Sequence, residues 1–180
     1  MKKIVLFLGL IISASLLFAQ GNDENPALTK KQKRDAEFEK QYQATKSMLE
    51  NKNFVLESDY LQDRWGNRIP VSSNINFVAV DSALAIIQIG SNFRIGPNGV
   101  GGITAKGRIS NWELVAEEKT KSFDLRMTVM TPIGIYDLIF FISGSGGATA
   151  SLTGLRAGRL TFDGDLVPWE DSSVFVGQSL

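Results

Sequence analysis

From residue 53 onward, apolar side chains recur at every second position, the two-residue repeat of a half-buried β-strand. Ser122 to Met130 is the clearest run, with Phe123, Leu125, Met127 and Val129 alternating with Asp124, Arg126 and Thr128. Phe54, Leu56, Ser58 and Tyr60 alternate with Val55, Glu57 and Asp59, and Ile75, Phe77 and Ala79 with Asn74 and Asn76. Leu84 to Ile89, Thr104 to Ile109, Trp112 to Glu117, Ala148 to Thr153 and Arg159 to Leu166 continue the series. Ile135 to Ser143 differs. It is apolar on both faces apart from Asp137, the pattern of a strand covered on both sides.

The connections between these runs are short. Val80-Asp81-Ser82-Ala83 and Gly144-Ser145-Gly146-Gly147 read as tight turns. Thr131-Pro132-Ile133-Gly134 carries Pro and Gly where a type I turn takes them. Trp65-Gly66-Asn67-Arg68 and Pro70 mark a loop. Parallel neighbours need crossovers of about a dozen residues or more, so these connections point to antiparallel pairing. The chain is therefore read as mainly β: residues 53–168 form a single antiparallel β-barrel or sandwich of about eight strands.

One helix is expected ahead of the strands, over residues 29–52. Thr29 and Gln32 have capping-box spacing, and Phe38, Tyr42, Thr45 and Leu49 fall on one helical face. Lys30, Lys31, Lys33, Arg34, Glu37, Glu39 and Lys40 populate the others, as on a surface helix that docks an aromatic stripe. Residues 20–28 are a polar, flexible leader and residues 169–180 a C-terminal tail.

Residues 1–19 have the three parts of a secretory signal: Lys2 and Lys3, the apolar stretch Ile4 to Phe18, and the small residue Ala19. The stretch is shorter than the about 20 residues a spanning helix needs, so cleavage is expected. Nothing after residue 19 reads as a membrane span, and without cysteine there is no lipoprotein anchor. The expectation is an exported protein of the periplasm or the extracellular medium. The remaining chain of about 160 residues suits one domain with a sizeable core.

The chain has no histidine and no cysteine. Disulfides, thiolate chemistry, the Ser-His-Asp and Cys-His nucleophile systems and the common zinc, copper and iron ligand sets are all removed. Basic and acidic residues balance at 19 each over the whole chain. That balance gives no reason to expect nucleic acid as a partner.

The remaining candidate motifs each have a plainer explanation. Gly96-Pro97-Asn98-Gly99-Val100-Gly101-Gly102 looks like a phosphate loop, but a strand rather than a helix follows, and turn glycines explain it better. Asp163-Gly164-Asp165 with Glu170 and Asp171 offers calcium ligands without EF-hand spacing. Paired carboxylates could hydrolyse glycans without histidine. Asp59, Asp63, Asp81, Glu113, Glu117 and Asp137 are available, and only Asp137 stands out among apolar neighbours. Burial there would raise its pKa and demand a partner, whereas a strand edge beside Arg126 or Lys121 would not. Trp112 is in phase with Leu114 and Ala116 and reads as core, while Trp65 and Trp169 are the better surface candidates. No residue is assigned a catalytic, cofactor-binding or metal-binding role.

Several stretches together resemble a known family. Gly99-Val100-Gly101-Gly102-Ile103, Gly107-Arg108-Ile109 and Trp112-Glu113-Leu114 are similar to the signature of the exported bacterial domain-of-unknown-function family numbered 4251. Phe54 to Asp59, Ser73 to Val78, Phe123 to Pro132 and Arg159 to Gly164 resemble its other strands, over about residues 45–168. The resemblance implies export and a small β-rich domain with an N-terminal helix. It implies no activity and no catalytic residues.

The functional expectation is a non-catalytic envelope protein that uses no cofactor. Its partner would be a small apolar molecule or another envelope protein. A carboxylate-based glycan hydrolase and a purely structural envelope subunit are the alternatives. A ligand held inside a barrel needs an apolar cavity of about 300 Å³ or more, and a filled interior would shift the weight to a protein partner.

Overall fold

Alternation with short turns closes here into a barrel. In the computed structural model, residues 29–91, 98–155 and 158–179 are described. The signal, the leader and the first two residues of the glycine-rich loop, Gly96 and Pro97, lie outside them. The chain divides into two units, residues 1–34 and 35–180. The described part of the first is the start of helix α1 (Lys30–Glu50). There the Thr29 N–H donates to Gln32 Oε1 at 2.8 Å and the Gln32 N–H to Thr29 Oγ1 at 3.3 Å, the reciprocal cap expected.

The second unit holds the rest of α1 and nine strands: β1 (Asn53–Gln62), β2 (Arg68–Pro70), β3 (Phe77–Asp81), β4 (Leu84–Ile89), β5 (Ile103–Glu117), β6 (Ser122–Thr131), β7 (Gly134–Ser143), β8 (Gly147–Leu155) and β9 (Gly158–Val167). All pairings are antiparallel, in the order β1-β3-β4-β5-β6-β7-β8-β9, and β9 pairs back onto β1. Eight strands thus close an up-and-down barrel. The ninth, β2, is an extra strand on the far half of β1 (Tyr60↔Pro70, Gln62↔Arg68), where the sequence suggested only a loop. The two expected runs on either side of Ser110 are one strand, β5, with an irregularity between Ile109 and Asn111.

Side chains fill the inside of the barrel. Phe54, Leu56, Val78, Val80, Ile87, Phe123, Leu125, Met127, Val129, Leu138, Phe140, Leu152 and Phe162 form one buried cluster, with Phe54 and Phe140 edge to face at 6.1 Å. An eight-stranded barrel is just wide enough for its inward side chains to meet. Helix α1 adds to this cluster with Tyr42 and Leu49, and Tyr42 stacks on Phe123 at 5.1 Å. Thr45 Oγ1 donates to the Gly144 carbonyl at 3.3 Å, at the turn between β7 and β8. Of the expected helical stripe, Tyr42, Thr45 and Leu49 are buried, whereas Phe38 stays partly exposed.

Two strand expectations are reversed. β7 was expected to be covered on both sides, but its outward residues Ile135, Ile139 and Phe141 are exposed, the last at 61%. Conversely, β3 is buried on both faces. Val78 and Val80 point inward, while Phe77 and Ala79 form a second small core with Val55 and Ile86 on the outer wall. The cause lies far away in sequence. Val167, Trp169 and Val174 pack on this second core, so the expected tail is a strap laid over the outside of β1, β3 and β4.

A buried polar knot holds the strap. Gln88 uses its whole hydrogen-bonding capacity: Nε2 donates to the carbonyls of Ile75 at 3.1 Å and Phe175 at 2.8 Å. Oε1 accepts from Thr104 Oγ1 at 3.0 Å and the Gly177 N–H at 2.8 Å. Asn98 Nδ2 then donates to Thr104 Oγ1 at 3.1 Å, and Asn98 Oδ1 accepts from the N–H groups of Val100 and Gly102. Gln88, Asn98 and Thr104 are buried, which is tolerable because their polar atoms are paired. At the strap's other end, the Ser172 hydroxyl and the Ser173 N–H donate to Glu57.

Strand β1 breaks phase once. A register shift between Ser58 and Tyr60, against β9, turns Tyr60 outward and Leu61 inward. Simple alternation had placed Tyr60 on the same side as Phe54. Gly164 lies opposite Ser58, and a Cβ there would overlap the Glu57 carbonyl oxygen, so the seam needs glycine at that point.

Candidate functional site

With the interior filled, the larger depressions open on the outer wall. The main one has a volume of about 640 Å³ and lies across β6, β7, β8, β9 and β1. Strand register explains its lining. One row of directly paired outward residues runs Val115, Asp124, Phe141, Thr149, Asp163, Tyr60 and Pro70 across six neighbouring strands and β2. The parallel row on one side runs Glu113, Arg126, Ile139, Ser151, Thr161, Gln62 and Arg68. Asp59 and Asp165 add carboxylates on the other side of the groove. Two exposed aromatics, Phe141 at 61% and Tyr60 at 39%, rise from this wall.

The groove is acidic, with four carboxylates (Asp59, Asp124, Asp163, Asp165) against one guanidinium, that of Arg68. Arg68 stacks on Tyr60, 3.8 Å from the ring centroid, and ion-pairs with Asp163. Strand β2 presents this arginine, and the loop before β2 is set by Asp63. The Asp63 carboxylate accepts from Asn67 Nδ2 at 2.8 Å and from the N–H groups of Trp65 and Asn67 at 2.9 Å. These bonds, the Asn67 side-chain amide foremost, hold the Asp63 carboxyl below the usual aspartate range.

The sequence candidates fall as follows. Asp137 is not buried: it points outward and accepts a 2.7 Å bond from the Thr128 hydroxyl opposite it. Asp163-Gly164-Asp165 is part of β9 rather than a loop. Among the described residues, no three His, Cys, Asp or Glu side chains are grouped to hold a metal ion. Trp112 is half-buried against the core, with Lys52 4.8 Å from its ring centroid. Trp65 is 72% exposed beneath the Arg64 guanidinium, and Trp169 serves the strap. Of the carboxylates singled out from sequence, Asp59, Asp163 and Asp165 reach the groove. Phe141, Asp124 and Arg68 were missed as site residues, although the outward phase of Asp124 was legible.

Fold and groove together define a closed antiparallel barrel with a filled interior and an acidic, aromatic-edged outer wall. The chain belongs to the family described as Domain of unknown function (DUF4251), whose model matches residues 36–166. It is similar to the crystal structure of a DUF4251 family protein from Bacteroides eggerthii DSM 20697. The two share 25% identity and a TM-score of 0.63, over 75% of this chain and 92% of that one. No curated protein matches the chain. Among the described residues, no helix is long and apolar enough to cross a membrane.

Proposed function

We propose that this chain is an exported, non-catalytic binding domain that meets a protein partner on the outer wall of its barrel. The supporting observation is the contrast between inside and outside. Four fully buried phenylalanines (Phe54, Phe123, Phe140, Phe162) occupy the interior, whereas Phe141 stands bare and Tyr60, under the Arg68 guanidinium, is still 39% exposed over a groove of about 640 Å³. Exposed aromatics at the centre of a wall are the side chains that anchor protein interfaces. Export rests on the signal-like residues 1–19.

The hydrolase alternative has less support. A glycosidase needs one carboxyl kept protonated at working pH, usually by burial, and Asp59, Asp124 and Asp165 are exposed. The test is native purification from the producing cell, with wild-type chain beside a Tyr60→Ser/Phe141→Ser variant, followed by mass spectrometry. A partner retained by the wild type and lost by the variant supports the reading. A partner retained equally by both overturns it. The same spectra give the mature N-terminus, expected at Gln20; a product still starting at Met1 removes the export claim.

A further inference from the structure

The two rows of the outer wall contain the same arrangement twice. Asp163 pairs directly with Tyr60, and Asp124 pairs directly with Phe141, three strands away in the same row. Beside Tyr60, the next strand places Arg68 opposite Gln62, and its guanidinium fills the space over the ring and against Asp163. Beside Phe141, the matching position opposite Ile139 is Ser151, which is too short to do the same. Asp124, Asp59 and Asp165 have no side-chain partner among the described residues. Arg126, two residues from Asp124 in the sequence, stands in the other row directly opposite Glu113.

Building on the binding role proposed above, we infer that the groove receives a lysine- or arginine-bearing extended segment of a partner protein, with one cation seated over Phe141 against Asp124. The chain itself demonstrates the chemistry: an aromatic face and a carboxylate already hold one guanidinium in the companion position. A cation over an aromatic ring contributes about 0.5–1 kcal/mol when exposed and more as the site dries. The unmatched carboxylates on the Asp59–Asp165 side favour further positive charge along the same segment. Around Phe141 every strand is paired on both sides, so recognition there falls to side chains rather than to strand addition.

The probe is an acetylated, amidated decapeptide of alternating lysine and serine, titrated into the mature chain by calorimetry. Its glutamate counterpart, a neutral chitin oligosaccharide and the chain's own self-association by sedimentation run beside it. The expected result is binding of the lysine peptide alone, weakening about tenfold or more from low to high salt. Phe141→Ser and Asp124→Asn should each weaken it about fivefold or more while leaving the melting temperature in place. Arg68→Ser should strengthen it by vacating the second seat, and Arg126→Ser should do so less. Equal gains from the two arginine variants would mean diffuse attraction and overturn the seat. Lack of peptide binding, preference for the oligosaccharide, or self-association abolished by Phe141→Ser would each overturn the inference. If the peptide fails while the native partner still depends on Tyr60 and Phe141, only the charge class falls; if both fail, so does the binding role.

Discussion

The barrel wall has two outer stretches of similar chemistry and opposite fate. Over β1, β3 and β4, Val55, Phe77, Ala79 and Ile86 are buried because the C-terminal strap covers them. Over β5, β6 and β7, Val115, Ile139 and Phe141 are bare. The first stretch is sealed by a polar knot in which Gln88 is fully bonded, and the second is ringed by charges that stay hydrated. The chain covers an apolar wall with its own residues, and among the described residues it does so on one side only. The uncovered side is therefore the place to look for an outside partner.

The sharpest test of this contrast uses adjacent residues. Phe140→Ala, inside the barrel, is expected to cost about 3–5 kcal/mol in chemical denaturation. Phe141→Ala, one position on and facing outward, should stay within about 0.5 kcal/mol. Comparable losses from both would mean that the outer wall is covered after all. On the sealed side, Gln88→Ala strands the Thr104 hydroxyl, the Gly177 N–H and two carbonyls, and about 2–3 kcal/mol should be lost. Ser151→Ala on the open side should cost less than about 0.5 kcal/mol.

Removing residues 168–180 bares the second core while freeing the strap from its ordering cost, so a net loss of about 1–3 kcal/mol is expected. The more telling readout is dye binding to the newly exposed Phe77 and Ile86. Unchanged fluorescence would show that the strap is dispensable. The smallest effect concerns the loop that presents Arg68. A carboxyl whose folded pKa is depressed stabilises the fold above its unfolded value and loses that contribution as pH falls through the folded value. Acidification from about pH 5 to about pH 2 should therefore loosen residues 63–67 in amide exchange spectra. Asp63→Ala should remove this pH dependence.

Much of the barrel was legible because its signal is local. The alternation of Ser122 to Met130 and the turn glycines fix hairpins without reference to the rest of the chain. Coverage of the outer wall was not legible for the opposite reason. Phe77 is buried by Val174, almost a hundred positions away, and nothing near β7 reveals that its second apolar face lies open. Tyr60 was misplaced because a single extra residue at Ser58–Tyr60 inverts the phase, and a bulge leaves no mark in hydrophobic periodicity. The groove inherits both difficulties. Its carboxylates could be named from sequence, but their neighbours come from strands that only the closed register brings side by side.

Closure of the barrel also sets an order of events. Every pairing but one joins strands that follow one another along the chain or nearly so, and such hairpins form quickly. The exception is the seam, where Val55 meets Val167 and Leu61 meets Phe162, about a hundred residues apart. Until β9 has emerged from the ribosome, the side of β1 away from β2 and β3 is unpaired and the sheet keeps two raw edges. A chain threaded amino terminus first is thus kept from locking shut partway, and it snaps into its final form only once the last strand is delivered.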